Sequence, residues 1–94
     1  MPLYLVSYDI AESNHEDYQP LWDLLRVRNA HRLLTSQWIV PEAGFDAEKR
    51  LYEAILPLMR DGDRLLIARI ASGDAKWKHL LLTDTHLGQL FHRP

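Results

Sequence analysis

The chain has 94 residues and a mass of 11.0 kDa, enough for one domain built around one main core. It is 47% hydrophobic and 26% charged and holds no cysteine, which excludes a disordered tail, a collagen-like repeat, disulfide stapling, thiolate zinc sites and cysteine nucleophiles. Its formal charge of −2 and pI near 6.2 set it apart from dedicated nucleic-acid binders, which are usually basic as whole domains, although protonating all five His would raise the charge to +3.

No apolar run approaches the roughly 18–20 residues that span a bilayer. The opening residues lack a basic segment followed by an apolar one, so no secretory signal is expected. These features lead to the expectation of a small, soluble, cytoplasmic domain that makes no membrane contact. It must stabilise itself by packing or by pairing with a second chain.

Residues 3–10 read as a strand rich in aromatic and β-branched side chains. Leu3, Leu5, Ser7 and Asp9 share one face, and Tyr4, Val6, Tyr8 and Ile10 share the other. An acidic connection follows, with Asp17 as the expected cap of a helix over 18–28. Pro20 is tolerated there because the first turn has spare N–H groups. Leu21, Leu24, Leu25 and Arg28 fall at helical spacing, Asn29 suits the C-terminal stop, and Arg26 and Arg28 suit the negative end of the macrodipole.

Residues 30–40 lack helical periodicity and read as a strand or as a tight hairpin broken near Thr35 and Ser36. A second helix is expected after Gly44, with Asp46 as its cap and Leu51, Ala54, Ile55 and Leu58 as its apolar stripe. Pro57 should end or kink it near Leu56. Asp61, Gly62 and Asp63 form a turn, and residues 64–70 form a strand whose nearly continuous apolar run suggests burial on both faces. After Gly73, Trp77 and Leu80 to Leu82 fit a short strand or one to two helical turns, and 85–91 resembles a short capped helix.

This order predicts an α+β fold of ferredoxin-like type, a two-layer sandwich with two helices on one face of an antiparallel sheet. The other face is expected to be open. Apolar residues on both sides of the first and last strands then predict that a second subunit covers it through a two-fold interface.

The strand ending Val6, Ser7, Tyr8, Asp9 and Ile10, followed by a helix, resembles the opening of the CRISPR-associated protein 2 family. Ser36, Gln37 and Trp38 match a place where that family commonly has serine, a hydrophobic residue and phenylalanine, and Asp63 precedes an apolar strand. The resemblance covers residues 3–70 and extends to the SinR-like and VapD-like relatives. It implies a ferredoxin-like homodimer with Asp9 of each copy near the two-fold axis, holding Mg2+ that activates water against a phosphodiester. In the CRISPR setting it also implies a dimer that holds DNA and bridges integrase dimers, a role in which the aspartate is dispensable. Leu34 departs from the family's frequent glutamine two residues before the serine, which counts against nuclease and integration roles, as does the low basicity.

Asp9 is thus the candidate catalytic and metal-binding residue, and its alternative reading is a turn residue bonded to the following backbone. Glu12, Glu16 and Asp17 lie on the next loop and would add charge or merely solvate it. Arg26, Arg28 and Arg32, with His31, form the densest basic segment and the candidate nucleic-acid contact, against the plainer reading of dipole compensation on a solvated face. Lys76, Lys78 and His79 form a thinner patch, with Trp77 either stacking on a base or packing against its own domain. Tyr8, Ser36 and Trp38 are supporting residues: two core or interface aromatics, and a serine suited to polar contact rather than nucleophilic attack. The His spacing does not suggest zinc. Two functions follow: a metal-dependent endonuclease or nucleic-acid-binding dimer, and a non-catalytic dimeric interaction module.

Overall fold

The computed structural model describes residues 2–10, 18–70 and 75–91. The elements run β1 (Leu3–Asp9), α1 (Gln19–Val27), β2 (His31–Leu34), β3 (Gln37–Pro41), α2 (Ala47–Ile55), β4 (Arg64–Ile70) and α3 (Asp84–Phe91), with a 3-10 turn at Leu56–Leu58. The strands form one antiparallel sheet in the order β2-β3-β1-β4. The 30–40 region is therefore a hairpin, turning at Thr35 and Ser36. β1 lies inside the sheet, with Leu3 opposite both Pro41 and Ile70.

The even-numbered side chains of β1 meet the helices. Tyr4, Val6 and Tyr8 pack with Trp38 and Val40 of β3, Leu21 and Leu25 of α1, and Ala47, Leu51 and Ile55 of α2 in one buried cluster. The fold is therefore α+β, with α1 and α2 against one face of a four-stranded antiparallel sheet, compatible with a two-layer sandwich.

Helix ends follow local chemistry. Pro20 sits in the first turn of α1, where a missing N–H costs nothing, and Tyr18 rather than Asp17 holds the N-cap position. Asp17, like Glu12 and Glu16, lies outside the described residues. Asn29 takes the left-handed conformation (φ 62°). The Ala30 N–H donates to the Leu25 carbonyl at 2.9 Å and the Asn29 N–H to that of Arg26 at 3.0 Å, a Schellman stop. Asp46 occupies the N-cap position of α2 but turns left-handed (φ 55°), and its side chain makes no capping bond. α2 gives way to the 3-10 turn that carries Pro57, as expected of a residue that lacks an N–H. Asp63 closes the next turn by accepting the Arg60 N–H at 2.8 Å, and it also accepts the Tyr18 hydroxyl at 2.9 Å, tying the start of α1 to the start of β4.

The opposite face corrects two expectations. The apolar run of β4, an edge strand, is not buried on both sides within one chain: Leu65 and Ile67 are half-buried under the helices, whereas Leu66 on the opposite face is 58% exposed. Nor is that face wholly open. The C-terminal segment crosses it, and Leu87 of α3 is fully buried against Leu3, Leu33 and Ile39, with Trp77, Leu80 and Leu82 packed alongside. Residues 80–82 form neither a strand nor a helical turn. They are an irregular stretch tied to β2 by one bond, from the Leu81 N–H to the Leu33 carbonyl at 3.0 Å. Thr83 caps α3, its Oγ1 accepting the His86 N–H at 3.2 Å, so the short capped helix is present with Thr83 as its cap.

Candidate functional site

Asp9 ends β1 with its side chain 79% exposed, pointing to the face opposite the α1/α2 layer. The antiparallel register sets Arg64 directly across from it, and the Arg64 Nη1 lies 3.9 Å from Asp9 Oδ2. Both groups are solvated, so the pair contributes about 0–1 kcal/mol and leaves the carboxylate able to take another cation. A depression of about 350 Å3 opens beside it, lined by Ser7, Ser36, Arg64 and Leu66. The Ser36 carbonyl accepts the Tyr8 N–H at 3.1 Å. Among the described residues, no group of three or more His, Cys, Asp or Glu is placed to hold a metal ion.

Tyr8, one residue earlier, points the other way. Its hydroxyl accepts the indole N–H of both Trp22 and Trp38 at 3.0 Å, using the two lone pairs a phenol offers. Tyr8 and Trp38 are 4% and 2% exposed, which makes them core aromatics, not groups that meet a substrate. The guanidinium of Arg32 lies 5.2 Å from the Trp22 ring centroid and 5.6 Å from that of Trp38, and Arg26 lies 5.7 Å from Trp38. Such stacking contributes about 0.5–2 kcal/mol per contact. Arg32 also donates from Nε to the Thr35 carbonyl at 3.1 Å, which braces the β2–β3 turn.

The three arginines do not converge on one patch. Arg26 and Arg32 meet over Trp38, while Arg28 turns away to Glu42, with Nη1 3.1 Å from Oε2. Glu42 also faces Arg50 at 3.7 Å, so one carboxylate serves two cations between α1 and α2. Of the three, Arg26 is the most open to solvent, and besides Trp38 it has Asp23 3.6 Å away, also well solvated. Lys76, Trp77 and Lys78 lie on the irregular segment that crosses the second face, apart from the Arg32–Trp22 stack.

Three contributors were not singled out from the sequence: Arg64, Trp22 and Glu42. Arg64 was legible in principle, because pairing two seven-residue strands end to end sets Asp9 opposite Arg64. Trp22 sits one helical turn after Tyr18, a spacing that puts both on the buried side of α1. Glu42 carried no local signal, since its partners come from two different helices.

His31 and His86 meet edge to face, their ring centroids 4.5 Å apart, at the junction of β2 and α3. Burial, and secondarily the neighbouring His86, holds the His31 pKa below its ordinary 6.5. No helix among the described residues is long and apolar enough to cross a membrane. No family model matches the chain, and no solved structure matches it.

Proposed function

We propose that the chain acts as a ferredoxin-like homodimer that binds nucleic acid and, with Mg2+ held by the Asp9 carboxylate of each copy, hydrolyses a phosphodiester in RNA or DNA. The observation that carries this reading is the placement of Asp9: a solvent-facing carboxylate at the tip of an inner strand, beside an open depression and a cation. A ligand held at the end of a paired strand moves little, as metal chemistry requires. The β2-β3-β1-β4 order, with helices between β1 and β2 and between β3 and β4, supports the ferredoxin-like frame.

Magnesium takes oxygen ligands, keeps several waters and is commonly held by one or two carboxylates plus phosphate oxygens. Among the described residues one chain offers one such carboxylate, Asp9, and a second copy would add its own. When bound, the ion would lower the pKa of a water and neutralise phosphate charge. Asp9 would hold it, and Arg64 is placed to take a non-bridging phosphate oxygen. Exposed Leu66 and half-buried Ser7, beside the depression, offer the second copy a surface on that side of the sheet. A cytoplasmic dimer bridging a CRISPR integrase is the same proposal without cleavage, and there Asp9 is dispensable.

A second reading, the non-catalytic dimeric module, is favoured by the charge distribution. Arg28 is neutralised by Glu42, Arg32 is spent on two indoles and a carbonyl, and the chain carries −2 overall. The experiment that separates the two is a Mg2+ titration with labelled RNA and DNA, wild type beside Asp9→Ala. The nuclease reading expects metal-dependent cleavage that the substitution abolishes while the fold survives. Cleavage unchanged by Asp9→Ala removes Asp9 from the chemistry. Salt-sensitive binding without cleavage leaves the bridge, and neither binding nor cleavage leaves the interaction module.

A further inference from the structure

The second sheet face holds a cavity that the Asp9 reading does not use. It has a volume of about 460 Å3 and lies between the sheet and the irregular segment of residues 75–80. Its floor is Leu5, Leu33, Leu34 and Ile70, and its wall is Ala75, Trp77 and Leu80. Leu34 is 44% exposed, and Leu5, Trp77 and Leu80 are half-buried, so much of this apolar lining remains wet. The volume lies within the roughly 300–1,000 Å3 of small-molecule sites.

Two exposed lysines, Lys76 and Lys78, stand at the rim, and among the described residues no carboxylate lines the cavity. Among the described residues Gln37 is the one uncharged polar side chain in the lining, and its amide N–H donates to Ser7 Oγ at 3.3 Å. Apolar walls with cations on one side match a molecule that has an apolar body and one anionic end. We propose that this cavity binds a small amphipathic anion, an alkyl or aryl monocarboxylate, with its body against Leu5, Leu34 and Trp77 and its carboxylate at Lys76 and Lys78.

The same features count against other occupants. A nucleobase needs donors and acceptors along its edge, and among the described lining residues Gln37 is the one side chain that offers an acceptor. A second copy docked two-fold over the cavity would bring the lysine pairs of both chains together, which like-charge repulsion disfavours. The proposal stands apart from the nuclease reading and survives or fails without it.

The test uses the full chain and titrates decanoate, 1-decanol and adenosine monophosphate by calorimetry, with the Trp77 indole N–H followed by NMR. Decanoate should saturate at one per chain, bind about tenfold more tightly than decanol and shift the Trp77 signal. Lys76→Ala with Lys78→Ala, a surface change that leaves the apolar lining intact, should bring decanoate down to the affinity of decanol. Leu34→Glu, checked for folding by circular dichroism, should remove binding of both. Equal affinity of decanoate and decanol for the wild type overturns the proposal, as does tighter binding of the nucleotide, an unmoved Trp77 signal or no binding at all. Decanoate affinity that falls as protein concentration rises shows a second copy in the cavity and overturns it too.

Discussion

On the helix side of the sheet, α1, α2 and three strands bury side chains into one continuous cluster that includes Tyr8, Leu25, Trp38 and Leu51. On the other side, the buried residues among those described are Leu3, Leu33, Ile39 and Leu87, and the cover is an irregular segment plus one short helix. The difference lies in who supplies the partner surface. Two amphipathic helices present whole stripes to the first face, whereas α3 presents Leu87 and the half-buried Leu90 and leaves Leu66 and Leu34 in water. The first face carries the stability of the domain, and the second is the face with area left for ligands and partners.

The largest expected effect breaks the first face. Leu51→Ala removes a fully buried side chain beneath α2 and should cost about 2–5 kcal/mol, read as a loss of global stability in urea. Leu87→Ala deletes the same chemistry from the second face. Its cost should be about 2 kcal/mol and should appear first as faster hydrogen exchange in α3, with β1 and β3 still protected. Equal exchange increases in α3 and β1 would mean that the two faces open together.

Tyr8→Phe should cost about 1–3 kcal/mol, because it takes the hydroxyl acceptor from a buried Trp38 N–H and from that of Trp22. Urea denaturation measures it. The same substitution should leave any Asp9-dependent activity in place, since the two side chains point to opposite faces.

The asymmetry between the faces also explains what could be read from the residues alone. Alternation over residues 3–9 and the spacing of Leu21, Leu25, Leu51 and Ile55 belong to regular elements whose period is printed in the chain. Pro57 and Asn29 mark helix ends by chemistry that acts locally. The hairpin was one of two open choices, because Thr35 and Ser36 are weak turn formers and the bracing comes from Arg32 and Tyr8. Residues 64–70 misled because an apolar run does not say what covers each face of its strand: the helices cover Leu65 and Ile67, while Leu66 stays 58% exposed. The cover of the second face was illegible for a similar reason: Leu87 and Leu90 recur at helical spacing, but that spacing does not say which surface they dock on. As for the site, Asp9 at a strand tip was readable, but the diversion of Arg28 to Glu42 depends on tertiary placement alone.

The smallest effect is a pH response of the second face. The His31 pKa is lowered by burial and then by His86, so the unfolded chain takes up the proton first on acidification. Stability is therefore complete above the ordinary value of 6.5 and declines as pH falls from there toward the lowered folded value. Melting followed between pH 8 and 5 should show this decline, and His31→Gln should make it shallower. A melting temperature that rises on acidification would contradict the sign.

The functional account rests on two copies bringing two Asp9 carboxylates together. Sedimentation equilibrium of the wild-type chain across micromolar concentrations tests this most directly. The account predicts a mass of twice 11.0 kDa. A single-chain mass at every concentration, with and without Mg2+, would contradict it.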